Sequence, residues 1–196
     1  MSRARVAGAA ALLALSAGCA TPRSTVVAPG ETTRGQGFTV RMPAGWAVLS
    51  GPETSLASRD GAVLQQGVAG CLPVPPELSG TLPPGLASGE PRAASQAATV
   101  LALLREGQAW ATVPALALVA TGAGPAVLDG RAAVAIEAGE DGEVAARAPV
   151  RARIVAARVD ERLCFVGLAA ARRLYFEEAL PAWEGVLSSF RVGASP

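Results

Sequence analysis

Apolar and polar positions first alternate at Phe38, Val40 and Met42, with Thr39 and Arg41 between them. That period of two predicts a half-buried strand. Pro43-Ala44-Gly45 turns the chain into Trp46, and 47–49 extends as a second strand. A longer strand is expected within 62–72. Prolines then crowd the chain at Pro73, Pro75, Pro76, Pro83, Pro84 and Pro91. Their missing N–H groups suit neither a central strand nor a helix interior, so 73–91 reads as a surface loop. A polyproline-type ligand segment is the alternative. Ala97, Val100, Leu101 and Leu104 form one stripe of a helix over 93–105, and Gly107 ends it.

From Trp110 onward the texture is β. Runs at 116–120, 131–138, 149–158 and 162–170 read as strands. Gly122-Ala123-Gly124-Pro125, Asp129-Gly130, the 139–142 cluster and Asp160-Glu161 read as their connectors. Connectors this short predict antiparallel neighbours. The run with Cys164, Val166 and Leu168 is expected to be buried on both faces, while Arg151, Arg153 and Arg158 are expected on the exposed side of their strand. Over 173–190, Tyr175, Ala179, Trp183, Val186, Leu187 and Phe190 recur at helical spacing. Pro181 falls inside, so either a second helix starts there or one helix kinks. Trp183 is placed deep in the core. The fold class is α+β: a curved antiparallel sheet flanked by helices, in a single domain over 37–192.

The N-terminal stretch follows a different logic. Arg3 and Arg5 precede an apolar run from Val6 to Leu15, too short to span a bilayer. Leu15-Ser16-Ala17-Gly18-Cys19 then looks like the cleavage box of a bacterial lipoprotein signal peptide. This predicts removal of 1–18, lipid attachment at Cys19 by a diacylglyceryl thioether with a further acyl chain, and a flexible tether over 19–36. The usual large aliphatic residue three before the cysteine is replaced by Ser16. An ordinary secretory signal cleaved near Ala17 or Ala20 is the competing reading. Ala20, where the enteric retention rule would have Asp, favours an outer-membrane location facing the periplasm.

Composition narrows the chemistry. The chain has no His and no Lys, and its seventeen basic residues are all Arg. Without His there is no Ser-His-Asp or Cys-His catalysis and no imidazole metal centre. Without Lys there is no Schiff base and no phosphate-loop lysine. Beyond residue 18, fifteen Arg face sixteen acids, spread along the sequence. Nothing resembles the basic patch that nucleic acid requires, so no nucleic-acid partner is expected. The missing residue types share AT-rich codons, and a GC-rich genome accounts for them. No cofactor and no metal site is predicted.

Few candidate sites remain. Cys71 and Cys164 make an even pair, which suits either a disulfide in an oxidising compartment or two buried thiols. Trp46 and Trp110 are candidates to line a pocket between helix and sheet, with core packing as the plainer role. Glu137, Glu140, Asp141 and Glu143 form the densest acidic group but lack calcium-loop spacing, and read as a solvated turn. A hydrolase working through two carboxylates is the enzymatic alternative.

The order of motifs resembles a known family. Gly37-Phe38-Thr39-Val40-Arg41-Met42-Pro43-Ala44-Gly45-Trp46 is similar to the opening of PsbP-like domains and of related (DcrB-related) envelope lipoproteins. Val127-Leu128-Asp129-Gly130-Arg131-Ala132-Ala133 resembles their mid-chain turn, and Trp183-Glu184-Gly185-Val186-Leu187-Ser188-Ser189-Phe190-Arg191 their closing helix. The resemblance implies an α-β-α sandwich. The photosynthetic members dock on a membrane complex through basic and metal-binding side chains, none of which maps onto a residue here. The expectation is a membrane-anchored, non-enzymatic binding or accessory domain, with an envelope protein or an apolar small ligand as partner.

Overall fold

The computed structural model describes residues 31–59, 64–82, 93–107, 109, 118–140, 150–171 and 173–193, and the backbone alone for 24–26 and 90–92. Among the described residues, eleven strands fall in two antiparallel sheets. They are β1 (Ser24–Val26), β2 (Thr32–Gly35), β3 (Phe38–Arg41), β4 (Ala47–Ser50), β5 (Thr54–Arg59), β6 (Gln65–Pro73), β7 (Leu118–Leu128), β8 (Arg131–Glu140), β9 (Val150–Val159), β10 (Arg162–Ala171) and β11 (Arg191–Val192). The two helices are α1 (Glu90–Glu106) and α2 (Arg173–Ser189). The main sheet runs β1-β4-β5-β6-β10-β9-β8-β7, and the small one β11-β3-β2.

Each face of the main sheet has its own core. On one, α1 lays Ala97, Val100, Leu101 and Leu104 over Val68, Ile136, Ile154, Leu163 and Phe165. On the other, α2 brings Phe176, Ala179, Trp183 and Val186 onto Cys71, Val155, Cys164, Val166 and Leu168, and the small sheet adds Phe38 and Val40. Residues 163–170 of β10 are all buried, because β10 is central and covered by α1 on one side and α2 on the other. Those two helix layers make the α-β-α sandwich.

Several expectations need correction. Residues 24–26 and 32–35, expected in the tether, are strands β1 and β2. Thr, Ser, Gly and Arg gave no apolar period there, because edge strands are held by backbone pairing rather than by burial. β5 was not anticipated, since Ser and Thr occupy much of it. Gly122-Ala123-Gly124-Pro125 is not a connector: it lies within β7, an 11-residue edge strand with a register shift between Ala120 and Gly122. An edge strand needs only half of its backbone groups paired, so Gly and Pro are tolerated. The true connector is Asp129-Gly130, with φ of 50° and 72°. Two consecutive positive φ values are what a tight hairpin turn requires. Pro91 lies in the first turn of α1 rather than in the loop, a place where its missing N–H costs nothing. α2 is a single helix with Pro181 inside it.

The ends of the domain meet on the small sheet. Phe38 and Phe190 stack with ring centroids 5.7 Å apart. The Arg41 N–H donates to the Ser189 hydroxyl at 3.0 Å, and that hydroxyl donates to the Val186 carbonyl at 2.8 Å. The Asp129 carboxylate accepts from the Val192 N–H at 2.9 Å, tying the β7–β8 turn to β11. The opening, middle and closing motifs are therefore neighbours in space.

Candidate functional site

α2 presents Leu180, Trp183 and Leu187 to the sheet at spacings of three and four residues. Val155 and Val166, direct partners in the β9–β10 register, lie beneath. Between them is a cavity of about 230 Å³. The Trp183 ring stands over Gly67, where an added Cβ would overlap its six-membered ring. Only glycine at that position of β6 lets the indole reach the sheet. Trp183 is 4% exposed, and its Nε1 has no hydrogen-bond partner among the described residues. A buried donor left unpaired costs on the order of 1–3 kcal/mol. The walls are apolar, and the one unfilled polar demand is for an acceptor.

The rim carries charge. Arg153 Nε lies 3.3 Å from Glu137 Oε1, and Nη1 lies 3.9 Å from Glu184 Oε1. Glu137 faces Arg153 in the β8–β9 register, so this member of the acidic group serves a cross-strand ion pair. Glu140 ends β8, and Asp141 and Glu143 lie outside the described residues. No described carboxylate is buried, and Glu137 and Glu184 both meet Arg153.

The expected Trp46–Trp110 pocket takes a different form. Trp46 is 2% exposed and packs at a tilt against Trp183, with centroids 6.2 Å apart. It supports the cavity from behind and does not line it. Trp110 and Cys19 lie outside the described residues. The indole that lines the cavity is Trp183, expected only as core.

Cys71 and Cys164 are directly opposed in the β6–β10 register, with sulfurs 2.12 Å apart and both residues buried. Arg162 Nη2 donates to the Cys71 carbonyl. Nearby, Arg158 holds the described part of the proline-rich segment. Its Nη1 donates to the carbonyls of Ser79 at 2.9 Å and Leu82 at 2.6 Å, and its Nε to that of Asp160 at 2.9 Å. That segment is a short 3-10 turn, Pro76–Leu78, fastened to the end of the sheet.

Sequence reasoning missed a second cluster. Arg34, Arg41 and Arg191, dispersed along the chain, share the outer face of the small sheet. Thr39 pairs with Arg34 on one side and Arg191 on the other, and Arg41 pairs with Thr32. Phe38 and Val40 point the opposite way, into the core. A shallow concavity of about 440 Å³ joins Thr32, Thr39, Arg41 and Arg191. The β2–β3 hairpin brings Arg34 and Arg41 to one face, and only the long-range β11–β3 register adds Arg191.

No protein-family model matches the sequence. No curated protein is similar to it by sequence. Among solved structures, the chain is similar to cyanobacterial PsbP (CyanoP) from Synechocystis sp., at 14% identity and a TM-score of 0.52, over 85% of this chain and 95% of that one. A Bacteroides thetaiotaomicron structure gives 12% identity and a TM-score of 0.47, over 84% of this chain and 49% of that one. LpqN of Mycobacterium tuberculosis, a protein involved in cell envelope biogenesis, gives 12% identity and a TM-score of 0.31, over 88% of this chain and 91% of that one. The chain thus spans about half the length of the Bacteroides protein. The fold is PsbP-like, and that rests on the cyanobacterial structure.

Proposed function

We propose that this chain is a lipid-anchored envelope protein whose domain binds rather than catalyses. Cys19 carries the acyl chains and holds the domain at the outer membrane, facing the periplasm. The cavity under α2 takes an apolar small ligand, or an apolar side chain of an envelope protein partner, that offers one acceptor to Trp183 Nε1. The observation that carries this reading is the chemistry of the cavity: Val155, Val166, Leu180 and Leu187 line it beside Trp183, whose buried indole N–H has no partner among the described residues, and Arg153 and Glu184 are its charged members. Apolar walls with a single placed polar group suit binding. No helix among the described residues is long and apolar enough to cross a membrane, and the anchor in this reading is the lipid on Cys19. The carboxylate hydrolase finds no support, because Glu137 and Glu184 converge on Arg153 and neither is buried.

Two experiments test the two halves. Titration with an apolar carboxylic acid, read by Trp fluorescence, should saturate in the wild type and fail in Val166→Trp, which fills the cavity. Equal binding by both proteins would refute the pocket. In cells, the wild type should fractionate with membranes and crosslink to an envelope partner, while Cys19→Ala should be released. A Cys19→Ala protein still bound to membranes would refute the lipid anchor.

A further inference from the structure

We propose that the outer face of the small sheet is a docking surface for the phosphate headgroups of an anionic membrane; this rests on the anchored reading and deepens it. The first ground is charge. Arg34, Arg41 and Arg191 project from one face, in register about Thr39. Neighbouring strands lie about 4.8 Å apart, so Arg34 and Arg191 stand about 10 Å from each other across β3. Among the described residues their one ion pair is with Asp129, whose Oδ1 lies 3.7 Å from Arg191 Nε, and Glu184 shares a concavity with Arg191. Arg34 and Arg41 are exposed, and their guanidinium groups have no partner among the described residues.

Donor geometry is the second ground. Arg191 Nη1 already caps the end of α2, donating to Ser188 O at 2.8 Å and Phe190 O at 2.7 Å, which fixes the guanidinium in place. The hydroxyls of Thr32 and Thr39 line the same concavity, and neither makes a side-chain hydrogen bond among the described residues. Guanidinium forks and free hydroxyls suit phosphate oxygens. The shallow, open form of the concavity suits a surface of many headgroups better than a single enclosed anion.

Position is the third. β1 begins at Ser24, five residues after Cys19. Five extended residues reach at most about 17 Å. A lipid on Cys19 would keep the domain close to the headgroup layer, where screening still permits attraction. Val26 pairs with Ala47 at the start of β4, and Arg41 lies just across the Pro43-Ala44-Gly45 turn from it. The anchor confines the domain, and the arginine face orients it.

The test uses the chain from residue 19 onward with Cys19→Ser, so that no lipid contributes, and sedimentation with vesicles of phosphatidylglycerol and phosphatidylcholine. Binding should rise with the phosphatidylglycerol fraction and fall with salt. A basic residue near an anionic surface is worth about a fivefold change in partitioning. Arg34→Gln with Arg41→Gln should therefore weaken binding roughly 25-fold, by the same two-residue arithmetic. Arg34→Lys with Arg41→Lys should retain most of it, and unchanged circular dichroism and thermal midpoint would exclude unfolding as the cause. Equal binding to pure phosphatidylcholine, or an unchanged Gln variant, would overturn the proposal. So would saturable binding of inorganic phosphate that blocks vesicle binding at low millimolar concentration, which would make the face a free-anion site. Because the lipid is absent, failure here is separate from failure of the anchor, which membrane fractionation of Cys19→Ala reads.

Discussion

The two faces of the main sheet are built to different rules. The α1 face is built of Ala, Val, Leu and Ile around one buried ring, Phe165. The α2 face holds Trp46, Trp183, Phe38, Phe176 and Phe190, the paired cysteines, and a cavity. Small aliphatic side chains interdigitate without voids, whereas large rings leave gaps that other groups must fill or a ligand can enter. Stability can be served by either face. Recognition has a lined cavity and an unpaired indole donor to work with on the second.

This contrast breaks first at Trp183. Trp183→Ala should cost about 3–5 kcal/mol in denaturant unfolding, by loss of buried area plus a cavity, and should abolish ligand binding as well. Next is the cysteine pair, separated by 93 residues in sequence. Thiol titration of the unreduced protein should find Cys71 and Cys164 unreactive, and reduction should lower stability by about 2–4 kcal/mol. Asp129→Ala removes a charged acceptor from the Val192 N–H and should cost about 1.5–3 kcal/mol, with faster hydrogen exchange confined to β11 and β3. The smallest effect belongs to the aliphatic face: Ile136→Val should cost about 0.5–1.5 kcal/mol and leave ligand binding unchanged. A binding defect in Ile136→Val would erase the division between the faces.

The sequence exposed some of this and concealed the rest for physical reasons. β3 was legible because Phe38 and Val40 face a core while Thr39 and Arg41 face solvent. β10 was legible as doubly buried because no polar residue interrupts 163–170. Trp183 was placed in the core by helical spacing, and it is 4% exposed. β5 was hidden, since Ser55 is buried at a position that composition marks as polar. The second half of β7 was hidden, since glycine and proline read as turns wherever tertiary pairing is unseen. The arginine face was the least legible feature. Arg34 and Arg191 are separated by almost the whole domain in sequence and share a face through a two-residue strand.

That two-residue strand also sets an order of events. β3 lies near the start of the described residues, yet its partner β11 and the ring that stacks on Phe38 come from near their end. Until residue 190 emerges, Phe38, Trp46 and the sheet surface beneath α2 have no cover. The α1 face needs nothing beyond β10 and can consolidate earlier. The aromatic face is therefore the last to be covered as the chain grows, and it closes only with the final turn of α2.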